Sequence, residues 1–120
     1  MIQEAYVSFE TAKLLKEKGF DVPTKTYYTF NYHTFYDEER ARDWNNLSEF
    51  KYISAPTHQM VLAWLRKNRA YIVIRPHIVS VEHNATIYSD NGYLIELPED
   101  FNTYEEATEE AIKYSLENLI

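Results

Sequence analysis

Apolar and polar positions along this chain recur in two periods, and these periods divide it into elements. In Val7–Phe20 the residues Phe9, Ala12, Leu15 and Gly19 return every three or four positions, so they share one helical face. Ser8 can cap the unpaired amides of the first turn, and Glu10 suits the positive helix start. Lys16 and Lys18 occupy the last turn. Gly19 can take the left-handed conformation that stops the helix and turns Phe20 back onto Leu15. After the turn Asp21-Val22-Pro23 the period changes to two. Over Lys25–His33, Tyr28, Phe30 and Tyr32 alternate with Thr29, Asn31 and His33, which predicts a strand. Asp37–Asn46 is charged and shows neither period, so it reads as a loop or a short surface helix. Phe50–Ile53 reads as a brief strand.

The helical period returns after Pro56, with Thr57 as the expected N-cap. The run Met60–Leu65 is apolar almost all round, which predicts the most buried element, closed by Arg66, Lys67 and Arg69. Tyr71–Ile74 reads as a strand that Pro76 ends or bends, and residues 77–82 either extend it or leave it. Ala85–Ser89 and Tyr93–Leu97 read as two strands joined by Asp90-Asn91-Gly92, a hairpin signal because Asn and Gly tolerate positive φ. Pro98 stops the sheet. Thr103-Tyr-Glu-Glu106 then has the form of a capping box, opening a last helix whose stripe is Ala107, Ala111, Tyr114, Leu116 and Leu119. Glu105, Glu109 and Glu110 are expected to face water.

These elements predict an α+β protein: a small antiparallel sheet packed against three helices, with a second half ordered α-β-β-β-α. The length of 120 residues fits one domain, 1–120. The expected core is Phe9, Leu15, Val61, Trp64, Leu65, Ile72, Ile74, Ile87, Leu94, Ala107, Ala111 and Leu116.

Three blocks, Val7–Asp21, Ala55–Lys67 and Thr103–Leu116, resemble a family of small uncharacterised proteins encoded by gut Bacteroidetes and by their phages and mobile elements. The resemblance runs in order along nearly the whole chain and is weakest over residues 33–54. It implies an accessory protein rather than a central metabolic enzyme, and it brings no site residues. The α-β-β-β-α order is also similar to double-stranded-RNA-binding domains and to an antitoxin-type domain whose last helix opens on an acidic segment. The RNA-binding form carries a basic cluster at the start of that helix, where this chain has Glu105, Glu106, Glu109 and Glu110.

Charge sharpens this picture. The formal net charge is −7. Residues 1–98 hold twelve acids and eleven bases, whereas residues 99–120 hold seven acids and Lys113 alone as a base. The acidity therefore belongs to the C-terminal helix, a surface that repels phosphate backbones. No signal segment and no bilayer-length apolar run is visible, so a cytoplasmic address with no membrane contact is expected. Asn46-Leu-Ser48 and Asn84-Ala-Thr86 match the glycosylation sequon, which matters only after secretion.

Candidate chemistry is sparse. Cysteine is absent, which excludes disulfides, thiolate nucleophiles and Cys-ligated zinc. With two isolated glycines there is no phosphate loop, and no serine sits in a nucleophile elbow. His33, His58, His77 and His83 form no chelating pair by spacing, although His77 could meet Glu82-His83 across a hairpin and His33 could meet Asp37 on a helical turn. The acidic run Asp37-Glu38-Glu39 with Asp43 is balanced by Arg40 and Arg42 and reads as a solvated face. No cofactor, no metal and no catalytic residues are expected.

The densest feature is aromatic. Six of the nineteen aromatic residues fall in ten positions, Tyr27, Tyr28, Phe30, Tyr32, Phe35 and Tyr36. An aromatic strand reads either as core or subunit interface, or as a docking surface, because Tyr offers rigid contact area with a polar tip. The function this suggests is a small non-enzymatic interaction protein that docks a protein partner, or a second copy of itself, through those six residues. The alternative is a nucleic-acid-linked regulator with an αβββα domain, using a basic patch of Lys25, Lys51, Arg66, Lys67, Arg69 and Arg75.

Overall fold

The structure is a computed structural model, and it describes residues 3–47, 51–77 and 79–120. Phe50, the expected start of the brief strand, and Ser48 of the first sequon lie outside the described residues. The chain forms two compact units, Met1–Thr57 and His58–Ile120. The fold is α+β, with its strands in two three-stranded antiparallel sheets. No helix among the described residues is long and apolar enough to cross a membrane.

The first unit opens with α1, Phe9–Glu17. Ser8 Oγ accepts from the Thr11 amide at 3.2 Å, as a cap should. At the other end Gly19 stands at φ +88°. The Phe20 amide donates to Leu15 O at 2.9 Å and the Gly19 amide to Lys16 O at 3.2 Å, the paired bonds of a Schellman stop. Phe20 and Leu15 are both buried.

The sheet of this unit has β1, Thr24–Thr29, at its centre, flanked by β2, Phe35–Arg42, and β3, Tyr52–Ser54. Two expectations change here. The predicted strand over Lys25–His33 stops at Thr29, because Phe30, Asn31 and Tyr32 form the turn and His33 takes a left-handed φ of 52°. The charged segment read as a loop or surface helix is instead strand β2 followed by a short 3-10 turn, Trp44–Asn46. All eight residues of β2 are exposed. This edge strand buries neither face, so it lacks the alternation that marks a half-buried one.

The second unit runs α2 (His58–Lys67), β4 (Ala70–Pro76), β5 (His83–Ser89), β6 (Leu94–Glu96) and α3 (Tyr104–Asn118), the expected α-β-β-β-α order. The sheet order is β4-β5-β6, with α3 packed on β4 and β5 and α2 packed on β4 and α3. Ala85, Ile87 and Ala111 form a buried cluster, against which the half-buried Ile72, Ile74, Ile95 and Leu97 pack. Val61, Leu62, Trp64 and Leu65 are buried along α2, and Ala107, Ala111, Ile112 and Leu116 along α3. α2 ends without a glycine: Arg69 itself adopts φ +67°. Thr103 Oγ1 caps α3 by accepting from the Glu106 amide at 3.0 Å. Gly92 supplies the positive φ, +87°, of the β5–β6 hairpin.

Three details differ from the sequence reading. Leu94 is exposed rather than core, because β6 is a three-residue edge strand whose alternate position, Ile95, faces the cluster. Phe9, Ile72 and Ile74 are half-buried rather than fully so. His77 and residues 79–82 lie outside both β4 and β5 instead of prolonging β4; the His77 amide donates to Glu82 O at 2.8 Å, and Val79 and Val81 are exposed.

Candidate aromatic docking site

The six aromatic residues singled out in the sequence lie on the β1–β2 hairpin, and strand alternation divides them. Tyr27 pairs with Tyr36 and Tyr28 with Phe35 across the ladder. Adjacent residues of a strand point to opposite faces, so the two pairs occupy opposite sides of the sheet.

On one side the Tyr28 ring meets the edges of Phe9 at 5.7 Å and Phe35 at 5.6 Å. Its hydroxyl donates to Val7 O at 2.6 Å. The register opposite Ile53, itself fully buried, places Tyr28 on the α1 side. Tyr28 is thus a packing residue. Phe35 lies further out and packs edge-on to Tyr6 at 5.0 Å.

The other side carries an aromatic layer. The Tyr27 ring lies 5.3 Å from Tyr36, 4.2 Å from Trp44 and 5.1 Å from Tyr52, centroid to centroid. Trp44 is fixed by its indole N–H, which donates to Thr24 O at 2.6 Å, and the Arg42 guanidinium stands 5.8 Å from its ring centroid. Tyr27 is only 8% exposed, and its hydroxyl donates to Glu38 Oε1 at 3.2 Å. Burial, and after it this bond to an anionic acceptor, push the Tyr27 pKa above the usual 10.0. Trp44 and Tyr52 were not part of the sequence reading. The available signal was the position of Tyr52 in a second strand, but its pairing opposite Thr29 is non-local.

Three exposed aromatics gather at the turn beside this layer. Tyr32 is 86% exposed, Phe30 51% and Tyr36 45%. A hollow of about 800 Å³ opens there, lined by Tyr27, Phe30, Tyr32, Tyr36, Tyr52 and Lys51 among others. A second, of about 600 Å³, is lined by Glu38, Glu39, Arg40, Arg42 and Trp44. The tip is held from behind, where His33 stacks on Phe9 with centroids 3.5 Å apart and planes 12° apart. His33 therefore meets Phe9 rather than Asp37, and Asp37 lies in a strand, not on a helical turn.

The other histidines are dispersed. His58 is buried at the start of α2 and hydrogen-bonds through Nε2 to Glu109 Oε1 at 2.8 Å. Glu109 consequently does not face water as its helix spacing suggested. His77 pairs with Asp100 at 2.9 Å, while His83 stands opposite Pro76 and near Tyr104. Among the described residues, no three His, Asp or Glu side chains are placed to hold a metal ion.

No protein-family model matches the chain, and neither the curated proteins nor the solved structures contain a match.

Proposed function

We propose that this is a small non-catalytic accessory protein, of the type carried by phages and mobile elements, that works in the cytoplasm by docking a protein partner through its β1–β2 hairpin. The observation that carries the reading is the exposure of Tyr32, Phe30 and Tyr36 side by side around one hollow. Large aromatic rings with few rotatable bonds give contact area at low entropic cost, which is why such residues dominate protein-binding hot spots. The packed rings of Tyr27, Trp44 and Tyr52 form a firm floor beneath them. The nucleic-acid reading ranks below this one, because Glu105, Glu106 and Glu110 are all exposed on the first turns of α3, where an RNA-binding domain of this order needs cations.

The test is capture from a lysate of the source cell with tagged wild type and with a Phe30→Ser/Tyr32→Ser variant. The expected result is a partner retained by the wild type and lost by the variant, with both proteins melting alike by circular dichroism. Equal capture by the two would remove the hairpin tip from any docking role.

A further inference from the structure

Strand β4 ends its sheet, and the pairing around it shows which of its backbone groups face outward. The Leu97 amide donates to Ala85 O and the Ser89 amide to Tyr93 O, both at 3.0 Å, so odd-numbered residues of β5 direct their backbone groups toward β6. Asn84, Thr86 and Tyr88 therefore direct theirs toward β4, opposite Arg75, Val73 and Tyr71. Along β4, the backbone groups of Ala70, Ile72, Ile74 and Pro76 then point to the outer edge, Pro76 offering only its C=O. All seven residues of β4 keep a single register against β5, without a bulge.

Sheet proteins usually blunt such an edge with charges or bulges. β2 has both: its register slips between Thr24 and Thr26, and five of its eight residues are charged. β4 has neither safeguard. Its one charged residue is Arg75, and its proline is the terminal Pro76. A regular, apolar, β-branched edge of this kind is a template for another strand.

We propose that the outer edge of β4 pairs with the same edge of a second copy, antiparallel about a two-fold axis through Val73. This inference goes beyond the docking reading and does not depend on what the hairpin binds. An antiparallel ladder joins outward groups to outward groups, which leaves few registers. A centre on Ile72 sets Arg75 against Arg69 of the second copy, which lies beyond the strand at a left-handed φ of 67° and cannot continue the ladder. A centre on Ile74 sets Ile72 against Pro76, which has no N–H to give. The centre on Val73 keeps the arginines apart and sets Pro76 only against Ala70, at the two ends of the ladder. It sets Ile72 against Ile74 of the second copy, so that the outward backbone groups of these two residues are used in full. On the opposite face it brings Arg75 to Tyr71, a cation to an aromatic ring that is 42% exposed, and Val73 to its own counterpart. This charge complementarity selects a second copy as the occupant. Ile72 and Ile74 also pack on the buried cluster, so pairing would extend one apolar layer across six strands.

The experiment is sedimentation velocity across a concentration series on the wild type, Val73→Lys, Val73→Glu, and an equal mixture of the two variants. The wild type is expected at twice 14.3 kDa, and each variant alone at 14.3 kDa, since like charges then meet on the two-fold axis. The mixture should recover the doubled mass, which a merely misfolded variant could not do. A wild type that stays at 14.3 kDa throughout overturns the proposal, as does a Val73→Lys protein that remains dimeric or a mixture that stays monomeric.

Discussion

The Nε2 atom of His58 lies 2.8 Å from Oε1 of Glu109, tying the first residue of α2 to the middle of α3. His58 is buried and the Glu109 side chain is 18% exposed, so this hydrogen bond sits in the interior of the second unit, where an unmet donor is costly.

Replacing Glu109 by Ala should therefore cost about 1.5–3 kcal/mol, the range for a hydrogen bond to a charged group. Thermal unfolding followed by circular dichroism checks this as a drop of several degrees. A His58→Leu/Glu109→Leu double variant should recover part of the loss, because neither half of this bond is then left without the other. A Glu109→Ala protein melting with the wild type would show that the pair adds no stability.

The Tyr27 hydroxyl gives a pH-dependent outcome. Its pKa in the folded state is raised, by burial first and by the bond to Glu38 second, above the unfolded value of 10.0. The folded state thus holds this proton more tightly than the unfolded chain. The stability it brings is complete below pH 10.0 and is lost as the pH rises beyond that value. Denaturation at increasing alkaline pH should show the wild type weakening more steeply than Tyr27→Phe. Parallel curves would remove Tyr27 as the cause.

At Gly19 the prediction concerns backbone rather than space. A Cβ added there would meet nothing within 4 Å, yet the residue stands at φ +88°. Gly19→Ala should cost roughly 1–2 kcal/mol through the left-handed conformation alone, and Gly19→Asn less, since Asn tolerates that region. Urea denaturation midpoints order the three proteins. An Ala variant as stable as the wild type would mean that the turn adopts another conformation.

The parts of the fold visible in the sequence are those specified within a few residues. Ser8, Gly19 and Thr103 mark helix ends through bonds to neighbours three to five positions away, and Asp90-Asn91-Gly92 closes its hairpin locally. What escaped was non-local or lacked a periodic signal. β2 is recognisable only through its pairing with β1, because nothing buries either of its faces. The β1–β2 turn has no glycine; a histidine takes the positive φ, so the alternating pattern ran on past the end of the strand. In the candidate site, the six clustered aromatics were evident as residues, but their division between two faces, and the arrival of Trp44 and Tyr52, depend on strand register. His58 and Glu109 are 51 positions apart, and no spacing rule joins them.

The stacking of His33 on Phe9 has a consequence for how the hairpin tip would be met. A non-glycine residue at φ 52° is held there against its own preference, by about 1–2 kcal/mol, and the ring stacked behind it supplies a restraint. Tyr32, the residue immediately before it, therefore projects from a backbone anchored to a helix rather than from a loop free to sample many shapes. A molecule that engages Tyr32 has little ordering left to impose, so its encounter should resemble that of two preformed surfaces. Loss of the His33 ring should then slow association while leaving every contact residue in place.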